Sequence, residues 1–193
     1  MRGRSGLASH AARCHTSVMR PARTRWLTAL LLALVPLAVV IGGSSAAAPP
    51  ACRGGNLLGA FAVVPGSAGA GNIVYRLRVV NHSSRTCFVT GLPRLQLVDR
   101  LHHALPTHVT PAMPGAGTAA RIFLAPGAHA AATARFSPDI PGPGEPTGGP
   151  CEHTAHAIRF TPAAGGTLLA PVRPPTPVCE HGGMQVSLIG RSS

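Results

Sequence analysis

The chain has 193 residues and a formal net charge of +12 from 17 arginines, no lysine and five acids. The arginines are spread singly along the chain, and aromatic residues make up only 4% of it, which excludes a nucleic-acid binder built on clustered basic and stacking side chains. Arginine at every basic position, with abundant alanine, glycine, proline and histidine, is the codon signature of a G+C-rich genome, so raw arginine and histidine counts carry little functional weight.

In chain order the first feature is a leader. Six arginines precede Trp26, a run of apolar residues reaches Ile41, and Gly42, Gly43, Ser44, Ser45 and Ala46–Ala48 follow before Pro49 and Pro50. A basic head, a short apolar middle and a small-residue exit predict a secretory signal peptide over residues 1–48, cleaved after Ala46 or Ala47. Residues 27–41 extend roughly 22 Å as a helix, short of the about 30 Å of a bilayer core, and Pro36 interrupts them. The alternative is an uncleaved leader retained as a membrane anchor. Met19 opens a leader of ordinary proportions and is the expected true start.

Removing the leader leaves residues 49–193, enough for one domain with a real core. It keeps 11 arginines and five acids, a net charge of +6. That charge alone gives a mild attraction to anionic surfaces; the reading adopted is a solvated face. Cys14 leaves with the leader. Cys52, Cys87, Cys151 and Cys179 remain, an even number in an exported chain, and predict two disulfides. Of three possible pairings, Cys52–Cys87 and Cys151–Cys179 are favoured because each closes a moderate loop within one half of the chain.

The mature chain is a series of short apolar or alternating runs broken by Gly, Pro and Asn. Residues 56–64 predict a strand. Residues 72–81 are the clearest one, with Ile73, Tyr75, Leu77 and Val79 on one face and Val74, Arg76, Arg78 and Val80 on the other. Further strands are expected at 87–90, 94–99, 121–124, 129–136, 155–161 (His156, Ile158 and Phe160 together), 167–172 and 184–189. Ala125-Pro-Gly-Ala128 suits a type II turn. Residues 106–117 and 137–150 read as long loops, and the proline-rich 171–177 should run extended. The expected fold is all-β: a single immunoglobulin-like β-sandwich of about eight or nine short strands, stapled by two disulfides.

Cys52, Gly69-Ala-Gly71, Tyr75-Arg-Leu77, Asn81-His-Ser-Ser-Arg-Thr-Cys87, Gly91-Leu-Pro93, Leu97-Val-Asp99, Leu124-Ala-Pro-Gly127, Cys151 and Pro177-Val-Cys179 follow in order. This ordered set resembles a domain of unknown function found in secreted proteins and lipoproteins of actinobacteria, over residues 51–190. The resemblance implies a secreted, disulfide-linked β-sandwich and supplies no activity or catalytic residue. It departs after Asp99, where Arg100-Leu-His-His103 stands in place of an early glycine. Asn81 with Ser83 and Ser84 suits a turn whose side chains bond their own backbone. Asn81-His-Ser83 also matches a glycosylation acceptor, discounted in a bacterium.

The chemistry is thin. There is no Gly-x-Ser-x-Gly elbow, and most of the five acids, Asp99, Asp139, Glu145, Glu152 and Glu180, sit beside turns or cysteines. The chain is therefore read as a monomeric, non-enzymatic envelope or extracellular binding protein, without cofactor and with an unknown envelope or extracellular ligand. Its binding surface is expected on loops 101–117 and 137–150. No nucleic acid and no stable membrane span after cleavage are expected. One alternative is an extracytoplasmic zinc- or copper-binding protein using His153, His156 and His181, with His102, His103 and His108 as a second group. Against it, His153 and His156 on a strand would point to opposite faces, and a disulfide would remove both thiolates as ligands. The other alternative is a small secreted hydrolase.

Overall fold

A computed structural model describes residues 47–115 and 119–191. The leader, Met19 and the expected cut after Ala46 lie outside the described residues. The elements are a single 3-10 turn (Gly54–Asn56) and eleven strands: β1 (Leu57–Val63), β2 (Ile73–Asn81), β3 (Cys87–Val89), β4 (Arg94–Val98), β5 (His108–Pro111), β6 (Ile122–Leu124), β7 (His129–Phe136), β8 (Ala155–Thr161), β9 (Leu168–Thr176), β10 (Gly183–Val186) and β11 (Gly190–Arg191). No helix among the described residues is long and apolar enough to cross a membrane.

The main sheet runs β4-β8-β9-β1-β2-β7-β10-β5, with β11 also against β7; β3 and β6 form a separate two-stranded sheet. The main sheet curls until it nearly closes. Residues 104–107 link its two edges and bond back to the first of them: Leu105 donates its N–H to the Leu97 carbonyl, and Thr107 Oγ1 accepts the Leu97 N–H at 2.9 Å. The fold is thus the expected all-β sandwich.

Period-two patterning builds its centre. On β2 the side chains of Tyr75, Leu77 and Val79 are buried, while Arg76 and Arg78 are exposed. β7 pairs with it antiparallel and sets Ala134, Ala132 and Ala130 opposite those three. These small side chains leave room for the rings of Phe61, Tyr75 and Phe136, whose centroids lie 5.1 to 6.5 Å apart. Such tilted aromatic packing adds to the burial term. The Tyr75 hydroxyl donates to the Pro174 carbonyl at 2.8 Å, so the core's one phenol is satisfied.

Two cystines staple the sandwich: Cys52–Cys87 ties the entering chain to the small sheet, and Cys151–Cys179 ties the segment before β8 to the turn before β10. The turn at 125–128 forms as expected, with Gly127 at φ 78° and the Ala128 N–H on the Ala125 carbonyl at 2.9 Å.

Several expectations need correction. Residues 108–111, placed in a loop, form β5, because β10 offers them a parallel partner, Met184 opposite Val109. Residues 171–176 are extended as expected but belong to β9. The alternation of β8 is broken by a bulge between Ala155 and Ala157, so Ile158 and Phe160 are buried while His156 is half-buried and leaves their row. The strand of 184–189 stops at Val186, and the chain returns to β7 as β11. His153 precedes β8 rather than lying on it, so the opposite-faces argument does not apply to it.

Candidate functional site

The arginines scattered in the sequence do not stay scattered. On β2, Arg76 and Arg78 occupy successive outward positions. The register with β1 sets Ala62 beside Arg76 and Ala60 beside Arg78; that with β9 sets Arg173 on the other side of Ala62. β7 contributes Arg135 opposite Val74, with Thr133 opposite Arg76 and Ala131 opposite Arg78. Arg191, on β11, closes a shallow hollow of about 230 Å³ that it shares with Arg76, Thr133 and Ser187. All five arginines are exposed. Among the described residues the ion pairs are His103–Asp99, His181–Glu145 and His181–Glu152, and none includes an arginine. Strand register, which a linear sequence does not display, brings Arg135 and Arg173 onto the solvated face that the alternation of β2 already gave to Arg76 and Arg78.

The acids gather elsewhere. Four of the five lie in the segment running to Cys151 and Glu152 or in the turn at Cys179. In that turn Glu180, His181 and Gly182 are all left-handed, with φ of 55°, 55° and 76°. Two non-glycine residues in that region cost roughly 1–2 kcal/mol each, so something must hold them. Glu145 does. Its side chain is only 2% exposed, and its carboxylate accepts the backbone N–H groups of Gly142 at 2.6 Å, Glu180 at 2.8 Å and His181. Successive amides turned to one side form an anion-binding nest, and this chain fills it with its own carboxylate. Gly182 is required there: a Cβ would meet the backbone of Pro106 and Thr107.

His181 completes this clasp. Nε2 lies 3.0 Å from the Pro143 carbonyl oxygen, and Nδ1 lies 3.5 Å from Glu145 and 3.6 Å from Glu152. The Pro143 carbonyl, outweighing partial desolvation together with the two carboxylates, holds the imidazole above its ordinary pKa of 6.5. Desolvation pushes Glu145 up, but the three amides and the His181 ring outweigh it, and its carboxyl sits below 4.5. The signs then follow. Stability from Glu145 is present above 4.5 and is lost as pH falls through its lower folded value. Stability from His181 is present below 6.5 and is lost as pH rises through its higher folded value. The clasp is strongest between those two limits.

Glu145→Gln keeps the side-chain size but sets an amide N–H2 against N–H donors. The thermal midpoint of this variant is expected to fall less steeply with acid than that of the wild type. Dithiothreitol is expected to reduce Cys151–Cys179 roughly tenfold faster, because the turn carrying Cys179 opens more often. Equal reduction rates and parallel pH profiles would show that the clasp does not hold the turn.

The candidate histidines separate. His102 and His103 lie in the turn after β4; His102 takes the left-handed conformation, φ 65°. Asp99 accepts the N–H groups of Leu101 and His103, both at 2.8 Å, and its Oδ2 lies 3.0 Å from His103 Nδ1. His108 opens β5, and His153 and His156 flank the start of β8. Of the six, His181 alone joins a group of three donors, with Glu145 and Glu152; the other such group among the described residues, Glu145 with Cys151 and Cys179, holds no free thiolate. The Glu145 carboxylate is already occupied by three amides, and both His181 nitrogens face acceptors. The chemistry of this set is that of an ion-paired clasp. It was missed in the sequence because nothing in residues 137–150 marks Glu145 as buried.

The segment 137–150 is accordingly a strap folded around Glu145, and the exposed arginines lie apart from it on the outer face of β9, β1, β2 and β7. The class is a disulfide-stapled all-β sandwich with a basic outer sheet face. Residues 52–189 match the family model described as a domain of unknown function, DUF4232, and the chain belongs to that family. No curated protein and no solved structure matches the chain.

Proposed function

We propose that this protein is a secreted, monomeric, non-enzymatic binding module of the actinobacterial envelope or its surroundings, exported through its leader and cleaved near Ala46 or Ala47. Two cystines in a domain of this size support an oxidising, extracytoplasmic location. The observation that carries the binding reading is the outer face of β9, β1, β2 and β7. Its exposed arginines form no ion pair within the described residues, so the fold makes no use of their charge.

Native protein from the producing cells tests both parts. Its N-terminus is expected at residues 47–49, all four mature thiols are expected oxidised, and washed envelopes are expected to sediment it from low-salt buffer. An N-terminus upstream of Ser44 together with free thiols would overturn the export reading. Protein that stays in the supernatant at every salt concentration would overturn the binding reading.

A further inference from the structure

We propose that the outer face of β2 and its neighbours is a docking strip for a linear phosphodiester polymer, gripped by Arg76, Arg78, Arg135 and Arg173, with Arg191 beside them. The inference rests on the binding-module reading and names the ligand class of the same face.

Strand geometry sets the spacing. Arg76 and Arg78 are one pleat repeat apart, roughly 6–7 Å. Arg135, opposite Val74 on the adjoining strand, continues their line by one further step. Arg173 lies in the row of Arg76, two strands away across Ala62, or roughly 9–10 Å. A line of charges at this repeat suits a polymer with one charge per extended unit better than a compact anion.

The floor between the arginines is low. Ala60, Ala62 and Ala131 alternate with them, so the guanidinium groups stand above a shallow surface and present their paired N–H donors outward. That fork matches the oxygens of a phosphate. The hollow between Arg76 and Arg191, with the hydroxyls of Thr133 and Ser187 on its wall, is a place on the strip where a phosphate can settle below the surface, whereas the hollow beside Arg135 also carries Glu180.

The same face argues against other polyanions. It offers no Phe, Tyr or Trp side chain, and only the single imidazole of His129 at its edge: Phe61, Tyr75 and Phe136 point into the core, and the exposed Phe123 belongs to the small sheet. A single-stranded nucleic acid would find no stacking platform. Its apolar members around the arginines are the alanines with Val74 and Val80, Leu188 borders the hollow, and Leu58 and Leu169 lie at one end; it has no bulky aromatic or continuous leucine wedge beneath the basic residues to enter a lipid layer. Codon bias explains why these cations are arginine rather than lysine. It does not explain why they share a face while Glu145, Glu152 and Glu180 lie beside the second disulfide.

The test is titration of the purified full-length protein with poly(glycerol phosphate), beside polyglutamate, oligo(dT) and vesicles containing phosphatidylglycerol. Poly(glycerol phosphate) is expected to bind tightest. Each guanidinium withdrawn from a phosphate should lower the slope of log affinity against log salt by about one, so Arg76→Gln/Arg78→Gln should lower it by about two and weaken binding at least tenfold. Arg53→Gln/Arg85→Gln removes the same net charge away from the strip and should leave the slope within experimental error. Intact disulfides and an unchanged thermal midpoint establish folding of both pairs. Equal weakening in the two pairs would overturn the strip, and tighter binding to polyglutamate, oligo(dT) or vesicles would overturn the phosphodiester assignment. Retention by envelopes without binding to poly(glycerol phosphate) would sink this inference while leaving the module reading intact.

Discussion

Asn81→Asp is expected to destabilise the domain by about 4 kcal/mol in urea unfolding, and Asn81→Ala by about 3 kcal/mol. Asn81 is fully buried. Its Nδ2 donates to the carbonyls of Arg85 and Leu124, both at 2.8 Å, and its Oδ1 accepts the backbone N–H of Ser83 at 3.0 Å and the Ser83 hydroxyl at 2.7 Å. Its backbone accepts the N–H of Gly127 and donates to Ala128. One side chain therefore joins the end of β2, the turn into β3 and the end of β6.

Alanine removes the donor from the Leu124 oxygen in a wholly buried place and the acceptor from the Ser83 N–H, and leaves the Arg85 carbonyl with the Ser83 hydroxyl alone. Aspartate is worse, because it points acceptors at acceptors and brings a charge inside. Ser84→Ala, in the same turn, is expected to change stability by less than about 0.5 kcal/mol. An Asn81→Asp protein within about 1 kcal/mol of wild type would refute this account of the junction. The same bonds bear on the glycosylation motif, since the amide nitrogen a glycan would need is already committed in the folded chain.

Removing the first cystine by Cys52→Ala/Cys87→Ala is expected to cost about 3–4 kcal/mol. It closes a loop with a sequence separation of 35, and the loop-entropy relation puts such a closure near the upper part of that range. Both residues belong to the core, Cys52 at 0% and Cys87 at 4% exposure. The bond also fixes the entering chain, in which Cys52 donates its N–H to the Phe88 carbonyl at 2.8 Å and Phe88 returns one to Pro50 at 3.0 Å. Without it, residues 50–52 are held to β3 by those bonds alone, and the small sheet loses its link to the chain ahead of β1. Unfolding of the double variant measured beside the oxidised wild type checks the figure; a difference under about 1 kcal/mol would mean the sandwich holds the strand unaided.

Much of the fold was legible because its signals are local. Tyr75-Arg-Leu77-Arg-Val79 states its own period, and Pro126-Gly127 states its turn. The cysteines could be paired because their loop lengths separate them into two halves. β5 was not legible: His108–Pro111 has no periodicity of its own, and its strand character is conferred by β10, more than seventy residues later. The bulge in β8 was equally hidden, since it arises from pairing with β9 and not from any residue within 155–157.

The candidate site was less legible than the fold. The alternation of β2 gave Arg76 and Arg78 to one face, but Arg135 and Arg173 join them only through the β2–β7 and β1–β9 registers. Glu145 looked like a loop carboxylate among prolines and glycines. Its burial is produced by the left-handed turn at Glu180 and His181, which no propensity assigns to those residue types. The histidines proposed for a metal were distributed by the same logic, with His103 arriving beside Asp99 and only His181 arriving beside two carboxylates.

What the sequence by itself determined is the class of the chain: an all-β, twice-crosslinked domain, because period, punctuation and cysteine parity are properties of neighbouring residues. What only the tertiary structure decided is which charges meet. Strand register and chain closure bring residues tens of positions apart within a few ångströms, and that is how four separated arginines become one face and one loop glutamate becomes the anchor of a distant turn.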